Sequence, residues 1–453
     1  MYNFLPHTDQ TRQEMLEDIG LKSVDDLFSN INKSIRSGLS NFNMPYGVSE
    51  LEAKEKLSML ANNNLSLSNC ISFLGGGTYY RYIPACVNTV MERSEFLTSY
   101  TPYQPEVSQG TLQVIYEYQS MICNLTGMDV ANASVYDGAT ACAEGILMAA
   151  RITRRSKALV ASSINPDYKE VIKTYCHGGN IDIDYISVKD GKSDIENIKP
   201  EDYACILIQN PNYFGSVEDI FEISEICRKT GAKFIVCTDL VSITLIKKPA
   251  SYGADVVVGD IQALGLPAAF GGPHGGFIAC KTDYVRQIPG RITGMTKDHD
   301  GRTAFTLTLQ TREQHIRRAK ATSNICSNQA LMALAATVYL SVMGPEGLKE
   351  AATVSSARAH YLAEKISKIS GFTVMFNNFL YEFTLRIENC FSAEKLLNEL
   401  KEQNILAGIP LGNKFPEYKN CILVCVTEMN SIAEIDKFAA ALEKITSKCS
   451  LRG

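Results

Sequence analysis

Residues Lys233-Phe-Ile-Val-Cys-Thr-Asp239 place a carboxylate directly after a short apolar run. Consecutive apolar residues, with β-branched Ile and Val among them, are typical of a strand buried on both faces of a parallel sheet. The alternation of such strands with helical patterns predicts an α/β domain, a mostly parallel sheet flanked by helices. The other strand candidates are residues 157–161, 181–186, 204–209, 254–258 and 276–280.

The composition is that of an ordinary globular protein and excludes several functional classes. The chain has 453 residues, of which 45% are hydrophobic and 21% are charged, and its formal net charge is −5. A slightly acidic balance does not favour a protein that binds nucleic acid by neutralising phosphates. The sequence offers no secretory signal and no apolar run of the roughly 20 residues that a membrane span needs. We therefore expect a cytoplasmic protein that binds neither nucleic acid nor membranes.

The 14 cysteines are scattered along the chain without a C-x-x-C pair, and most lie inside apolar stretches. Free cysteine packs as a small hydrophobic residue, so buried thiols are expected. A zinc site is the alternative, but the six histidines show no paired helical spacing that would support it. The sequence therefore predicts no bound metal.

Three regions differ in their patterns. Residues 1–70 contain two polar amphipathic segments and predict an N-terminal helical arm. Residues 71–325 hold the apolar strand runs and predict a large α/β domain. Residues 326–453 combine a long helical stretch with later strand and helix patterns, which predict a smaller C-terminal α+β domain.

Two features of the large domain suit a cofactor that has a phosphate and a pyridine ring. Val135-Tyr-Asp-Gly-Ala-Thr-Ala141 lies at a turn into a helix, where the Gly138 N–H and the Thr140 hydroxyl could hold a phosphate. An Asp-Gly turn that only caps the helix is the alternative. Asp239 could pair with the protonated nitrogen of pyridoxal phosphate (PLP), or it could be a polar cap at the end of a strand.

The lysine that PLP would require is missing. A PLP enzyme forms a Schiff base with a lysine amine, expected one or two strands after the aspartate. No lysine occurs between positions 249 and 280. Lys247 and Lys248 follow Asp239 too closely, and Lys281 lies beyond the last predicted strand of the domain. An independent PLP enzyme that uses one of these lysines is therefore the least favoured interpretation.

Long, irregular motifs are spread over the whole chain. They are residues 73–84, Thr101-Pro-Tyr-Gln-Pro-Glu-Val-Ser-Gln-Gly110, Gly259-Asp-Ile-Gln-Ala-Leu-Gly-Leu-Pro267, Gly271-Gly-Pro-His-Gly-Gly-Phe277, Leu307-Thr-Leu-Gln-Thr-Arg-Glu-Gln-His-Ile-Arg-Arg318 and Ala321-Thr-Ser-Asn-Ile-Cys326. These motifs resemble the P-protein family of the glycine cleavage system, and in particular its alpha subunits. The resemblance implies a fold-type-I PLP-dependent transferase architecture. It also implies a share in a reaction that decarboxylates glycine and passes its aminomethyl group to the lipoyl arm of the H protein.

The same resemblance implies that the covalent anchor is absent from this chain. With the Pro-His-Gly-Gly segments in register, the PLP lysine of the catalytic beta subunits falls on Ala268 and a nearby histidine falls on Ala263. The histidine that stacks on their cofactor ring corresponds to Ser162. We therefore expect no catalytic residue and no covalently bound cofactor on this chain, with PLP on the beta subunit and the lipoyl group on the H protein.

In PLP enzymes of this fold, loops of one subunit complete the active site of its neighbour. The resemblance therefore implies that two loops of this chain contribute tyrosine hydroxyls and polar side chains to the partner's pocket. Packing of the subunit interface is the alternative role for the same residues. The candidates are Tyr79, Tyr80, Tyr82, Tyr103, Gln104, Glu106 and Gln109.

Gly138, Thr140, Asp239 and His274 would then be the remains of a cofactor site. For His274, a tight Pro-His-Gly-Gly turn into the following strand is a simpler interpretation. The basic residues between positions 312 and 320 could attract an acidic carrier protein by charge, or they could be ordinary solvated charges.

Together these expectations describe an alpha subunit that pairs with a PLP-bearing beta subunit, as α2β2, and acts on glycine with the lipoylated H protein. The alternative is a scaffold that stabilises the beta subunit and docks the H protein without contributing to the pocket. Mixing the two subunits and measuring activity would separate these hypotheses.

Overall fold

The computed structural model describes residues 7–39, 44–198, 201–388 and 392–450, and the chain divides into two compact units, Met1–Ser66 and Leu67–Gly453. The first unit contains the helices α1 (Asp9–Asp18), α2 (Lys33–Leu39) and α3 (Glu50–Ala61). A capping box starts α3, because Ser49 accepts from the Glu52 N–H and Glu52 accepts from the Ser49 N–H. Neither α1 nor α3 buries a residue, as expected of a polar arm.

The first part of the second unit alternates helices with the strands of its main sheet. In chain order its elements are β1 (Ile71–Ser72), α4 (Ala85–Met91), α5 (Ser94–Leu97), α6 (Gln109–Thr126), β2 (Val130–Ala131), α7 (Gly138–Thr153), β3 (Lys157–Ala161), α8 (Pro166–Gly178), β4 (Asp182–Ile186), β5 (Val188–Lys189), β6 (Lys192–Ser193), β7 (Cys205–Gln209), α9 (Ile220–Thr230), β8 (Lys233–Cys237), β9 (Val256–Asp260) and β10 (Gly276–Cys280).

The second part begins with a hairpin and a long helix and ends in a smaller sheet. Its elements are β11 (Ile292–Lys297), β12 (Thr303–Thr308), α10 (Gln314–Arg317), α11 (Ala330–Ser367), β13 (Phe372–Val374), β14 (Glu382–Ile387), α12 (Ala393–Lys401), β15 (Ile405–Leu406), β16 (Ile409–Pro410), β17 (Cys421–Cys425) and α13 (Ile432–Ser450).

The main sheet has seven strands in the order β2-β10-β9-β8-β7-β3-β4. All pairs between β9 and β4 are parallel, and β10 runs antiparallel to both of its neighbours. The middle strands β7, β8 and β9 are almost wholly buried, which explains their continuous apolar sequences. All six predicted strands lie in this sheet, so the mostly parallel α/β arrangement is confirmed, and β2 is the strand that the sequence did not indicate.

The smaller sheet contains four antiparallel strands in the order β13-β14-β17-β16. A separate parallel pair joins β1, near the start of the second unit, to β15, far along the chain. Side chains near both sheets contact the segment that follows β1, because Gln262, just after β9, accepts from the Tyr79 N–H and Glu382 of β14 accepts from the Tyr79 hydroxyl. The predicted division into residues 1–70, 71–325 and 326–453 stays a prediction.

Within the described residues, helix α11 alone has the length and apolar composition that a membrane span requires. Its buried side chains include Ala333, Ala336 and Tyr339, and it packs against α4, α6 and α13. The helix also breaks at Gly344, where φ is 61° and the next residue is Pro345. Burial against these helices gives the apolar composition a structural explanation.

Gly215, between β7 and α9, lies against strand β14. Its φ is +88°, and a Cβ there would lie 2.1 Å from the carbonyl oxygen of Glu382. Close by, the Thr384 hydroxyl donates to the Phe214 carbonyl at 3.0 Å. Only glycine fits here, because both the backbone angle and the space exclude a side chain.

We expect Gly215→Ala to destabilise the chain more than Gly301→Ala. Gly301 also has positive φ, +79°, but nothing lies within 4 Å of its Cβ position, so its change costs about 1 kcal/mol from the backbone alone. The overlap at Gly215 adds about 1–3 kcal/mol. Chemical denaturation of both variants measures this difference, and equal losses would contradict the close contact.

Candidate functional site

The carboxyl ends of β7, β8 and β9 bring polar side chains to one edge of the main sheet. Gln209 ends β7, Asp239 follows β8, and Asp260 ends β9. With Tyr79 and Gln262, these residues line a cavity of about 30 Å³. Ligand sites in open α/β sheets lie at this edge, so this is the candidate site.

Asp239 lies where the sequence predicted, and one of its oxygens already has two donors. Asp239 Oδ2 accepts from the Ser242 N–H at 2.8 Å and from the Tyr381 hydroxyl. The first contact is the strand-end cap that was the alternative interpretation. The second comes from just before β14, so the Tyr381 side chain occupies a position beside the carboxylate.

The start of α7 is held by carboxylates of the chain itself. Asp137 Oδ1 accepts from the Thr140 N–H at 2.7 Å, and Asp260 Oδ2 accepts from the Gly138 N–H at 2.9 Å. A Cβ on Gly138 would lie 2.4 Å from the Tyr168 hydroxyl, which places that phenol against the same turn. Two carboxylates already complement the positive end of the helix and would repel a phosphate.

The residues present do not fit PLP. A cavity of about 30 Å³ has room for about two water molecules, and the Gly138 and Thr140 N–H groups at the start of α7 already have carboxylate acceptors. The segment expected to bear the lysine forms the short 3₁₀ turn Ala269–Gly271, and Ala268 is not among the residues that line the cavity. Ala263, which the family resemblance aligns with a histidine of the catalytic beta subunits, does line the cavity. We therefore derive no chemical step through this cofactor on this chain.

The loop of residues 75–82 contains both buried and exposed tyrosines. Tyr79 is only 8% exposed, and its hydroxyl donates to Glu382 Oε2 at 2.9 Å. The Tyr79 ring therefore packs inside its own chain and lines the cavity at the sheet edge, and its role in a partner's pocket stays a prediction. Tyr80 is half-buried and Tyr82 is 51% exposed, so both remain candidates.

The second predicted loop, residues 100–109, also contains both half-buried and exposed side chains. The Gln109 amide donates to the carbonyls of Pro105 and Phe305 and accepts from the Phe305 N–H. Gln109 thus anchors the loop to β12, and its role in orienting a ligand stays a prediction. Gln104 and Glu106 are exposed, so their side chains are free to meet a partner.

Arg291 organises the surroundings of Tyr103 and was missed by the sequence reasoning. Its guanidinium is buried and donates to the Tyr103 hydroxyl at 3.2 Å and to the Cys326 carbonyl at 2.8 Å. It also forms an ion pair with Glu313, with Nε and Oε2 3.6 Å apart. The only sequence signal is an arginine directly after Pro289-Gly290 at the start of a strand.

The basic turn, defined as residues 312–320, adjoins the 100–109 loop. The rings of Tyr103 and His315 meet edge to face at 5.5 Å. Arg312 is buried and donates to the Leu309 and Gly290 carbonyls, so it is structural and not a surface charge. Arg317, Arg318 and Lys320 are exposed.

Asp260 joins His274 to the site. His274 Nδ1 lies 3.1 Å from Asp260 Oδ2, and His274 Nε2 lies 3.3 Å from the Thr78 hydroxyl. Burial lowers the pKa of His274, but the hydrogen bond and charge of Asp260 outweigh it and raise the pKa above its usual value. His274 therefore does more than complete a turn. Among the described residues, no His, Cys, Asp or Glu group could hold a metal ion.

The comparisons with known proteins agree on the family. The model of the family described as glycine cleavage system P-protein matches residues 2–442. The chain belongs to the glycine cleavage system P-protein family. A probable glycine dehydrogenase (decarboxylating) subunit 1 of Desulforamulus reducens is 47% identical over 98% of this chain and 100% of its own length. The protein of the same description from Moorella thermoacetica is also 47% identical, over 98% and 99%.

Solved structures confirm the fold. A crystal structure of glycine decarboxylase (P-protein) of the glycine cleavage system, in inhibitor-bound form, has a TM-score of 0.90 and 40% identity over 98% of this chain and 100% of its own. The sphingosine-1-phosphate lyase of Burkholderia pseudomallei has a TM-score of 0.66 at 14% identity and covers 89% of this chain and 92% of its own. The predicted fold-type-I architecture of PLP-dependent enzymes is thereby confirmed.

We expect purified chain mixed with PLP and reduced with borohydride to carry no label on any single lysine. The carboxylate acceptors already present at the start of α7 and the lysine-free segment are the physical reasons. Absorbance at the wavelength of a PLP–lysine adduct, followed by peptide mapping, measures this. One uniquely labelled lysine would contradict the prediction.

We expect Glu382→Gln to change how stability depends on pH. Burial raises the pKa of Glu382 to about 7, although hydrogen bonds from Gly76 and Tyr79 oppose this. A folded pKa above the unfolded value near 4.5 means that the stability contributed by the neutral acid is present below pH 4.5. It is lost as the pH rises through about 7.

Denaturation of the native chain and of Glu382→Gln at pH 5, 6, 7 and 8 tests this effect. The native chain should lose stability relative to the variant as the pH rises, since the amide does not titrate. Titration of His274 also lowers stability as the pH rises. Its contribution cancels when the unfolding free energy of the variant is subtracted from that of the native chain. A difference that stays constant from pH 5 to 8 would contradict the raised pKa.

Proposed function

We propose that this chain is the lysine-free alpha subunit of a glycine decarboxylase. It acts with a beta subunit that carries PLP, and together the subunits decarboxylate glycine and transfer its aminomethyl group to the lipoyl arm of the H protein. One observation carries the proposal: the site at the edge of the main sheet keeps Asp239 but is filled by side chains and lacks a lysine.

The numbering of the relatives as subunit 1 supports the existence of a second subunit. An arrangement with two copies of each subunit follows the common two-fold symmetry of such assemblies. The chain's own contribution would be a surface. Tyr82, Tyr103, Gln104 and Glu106 all lie exposed on the two loops that the family resemblance assigns to a partner's pocket.

Each of these groups has a role that its chemistry allows. A phenol hydroxyl such as that of Tyr103, oriented by Arg291, can hold a carboxylate in a fixed direction. The Glu106 carboxylate can accept a hydrogen bond from an ammonium group. The Gln104 amide can donate to a carboxylate or accept from an ammonium group. These side chains would bind and orient a small zwitterion while the partner supplies the reacting group.

A scaffold without pocket contacts is the second candidate. The burial of Tyr79 and the use of the Gln109 amide within its own chain favour it, because two of the seven predicted pocket residues serve internal packing. In that case the beta subunit would be fully active whenever it is folded.

Glycine–bicarbonate exchange separates the proposal from the scaffold. The experiment has three arms: the beta subunit alone, beta with native alpha, and beta stabilised by an alpha subunit whose surface loops are altered. We expect full exchange only with unaltered alpha. Full exchange by folded beta alone would overturn the proposed function.

We expect Tyr103→Phe and Glu106→Gln to reduce exchange about tenfold or more in the assembled complex, since each removes one directed polar contact. Val107→Ala, at an exposed apolar neighbour, is the matched control. Assembly is followed by sedimentation in parallel. Unchanged exchange in both variants, with intact assembly, would favour the packing role.

We expect the basic turn to attract the H protein by charge. Arg317→Ala and Arg318→Ala should raise the Michaelis constant for H protein, and the effect should shrink at high salt. Arg302→Ala removes an exposed arginine elsewhere and is the control. A Michaelis constant that does not depend on salt in the native complex would contradict charge attraction.

A further inference from the structure

We propose that the Asp260–His274–Thr78 hydrogen-bond chain and Gln262 act as positioning residues, holding the 75–82 loop so that its exposed face reaches a partner subunit. This inference rests on the proposed function, because the reaction that the loop would serve lies in the partner's pocket. Two of the residues that do the holding, Asp260 and Gln262, line the cavity at the edge of the main sheet.

The 75–82 loop cannot stabilise itself. It has no regular secondary structure, and Gly76 and Gly77 have φ of +71° and +110°. Its backbone polar groups are partly buried, so they need partners from other parts of the chain. Those partners are side chains, and they come from both sides of the loop.

Gln262 provides the most complete contact. Its Oε1 accepts from the Tyr79 N–H at 2.8 Å, and its Nε2 donates to the carbonyls of Tyr79 at 3.0 Å and Leu266 at 2.9 Å. The side chain is 1% exposed. One amide thus pairs with both backbone groups of Tyr79, as a neighbouring strand would. Glutamate could not do so, because it lacks the donor.

The second contact is a chain of three side chains. The Thr78 hydroxyl lies 3.3 Å from His274 Nε2, and His274 Nδ1 lies 3.1 Å from Asp260 Oδ2. Asp260 Oδ2 also accepts from the Gly138 N–H. The raised pKa of His274 favours the imidazolium, which donates from both ring nitrogens. The loop is thereby tied to the first turn of α7.

Side chains from β14 and from the segment after β17 hold the loop from the other side. Glu382 accepts from the Gly76 N–H at 2.7 Å and from the Tyr79 hydroxyl. The Thr427 hydroxyl donates to the Tyr80 carbonyl at 2.7 Å, and Glu428 accepts from the Tyr82 N–H at 2.8 Å. Successive backbone groups are therefore fixed, while the Tyr82 side chain stays exposed.

This pattern exceeds what packing of a surface loop requires. Most loops satisfy their polar groups with water and are mobile. Here side chains from the ends of β9 and β17, from β14 and from the turn before β10 converge on one short segment. A misplacement of about 1 Å can reduce a rate a hundredfold, so such restraint is useful where a loop must complete another subunit's site.

A double-mutant cycle in the reconstituted alpha–beta complex tests the positioning role. Thr78→Val removes the hydroxyl at constant shape, and His274→Gln removes the link to Asp260. We expect each to lower kcat for glycine exchange about tenfold with the Michaelis constant for glycine within a factor of two. Because both substitutions break the same series of hydrogen bonds, the double variant should lower kcat no more than either single variant does.

Rescue and control variants make the test specific. Thr78→Ser keeps the hydroxyl and should restore exchange to within a factor of two of the native complex. Gln262→Met should lower kcat like the other variants, while Gln403→Glu, at an exposed glutamine, should change nothing. Hydrogen exchange of the peptide spanning residues 75–82 should speed up in Thr78→Val and His274→Gln, whether or not Gln262→Met folds.

The outcomes separate this inference from the proposed function. Full exchange by folded beta subunit alone would overturn the proposed function. If alpha is required, additive losses in the double variant would show that Thr78 and His274 act independently and would overturn the positioning chain. Faster hydrogen exchange of the loop with unchanged kcat would likewise overturn it, because the loop would be held for stability only.

Discussion

The carboxylate of Asp260 is the contact on which the site depends. It ends β9, and its two oxygens accept from the Gly138 and Gln262 N–H groups and pair with His274. The side chain is 10% exposed, where an ionised carboxylate without donors would be costly. The first turn of α7 supplies one donor together with the positive end of its dipole. The end of a strand, the start of a helix and the turn before β10 are therefore fixed relative to one another.

The same contact occupies part of the sheet edge at which ligands bind in open α/β sheets. The chain superposes on a P-protein crystal structure with a TM-score of 0.90, so the sheet and its helices are retained. The space at the sheet edge is taken by Asp260 and Tyr168 on one side and by Tyr381 on the other. With that space filled, its polar groups serve the 75–82 loop, and Gln262 is the clearest example.

The sequence predicted the sheet better than the side-chain roles. Apolar runs identified six of the seven strands, and the missed β2 has only two residues, too few to leave a pattern. Asp239 lies at the predicted strand end. The contacts of Tyr79 and Gln109 inside the chain were not predicted, because a tyrosine or glutamine in a Gly- and Pro-rich segment has the same local pattern whether it faces inwards or outwards.

Sequence alone determined the fold class, the missing lysine and the family, because strand periodicity, residue identity and long motifs are local properties of the chain. Only the tertiary structure decided which polar groups meet. Tyr79 bonds to Glu382 and Gln262, and Thr78 lies beside His274, pairs separated by more than 180 positions in the sequence. Such contacts depend on how the main sheet and the smaller sheet close around the loop, and no local pattern encodes that geometry.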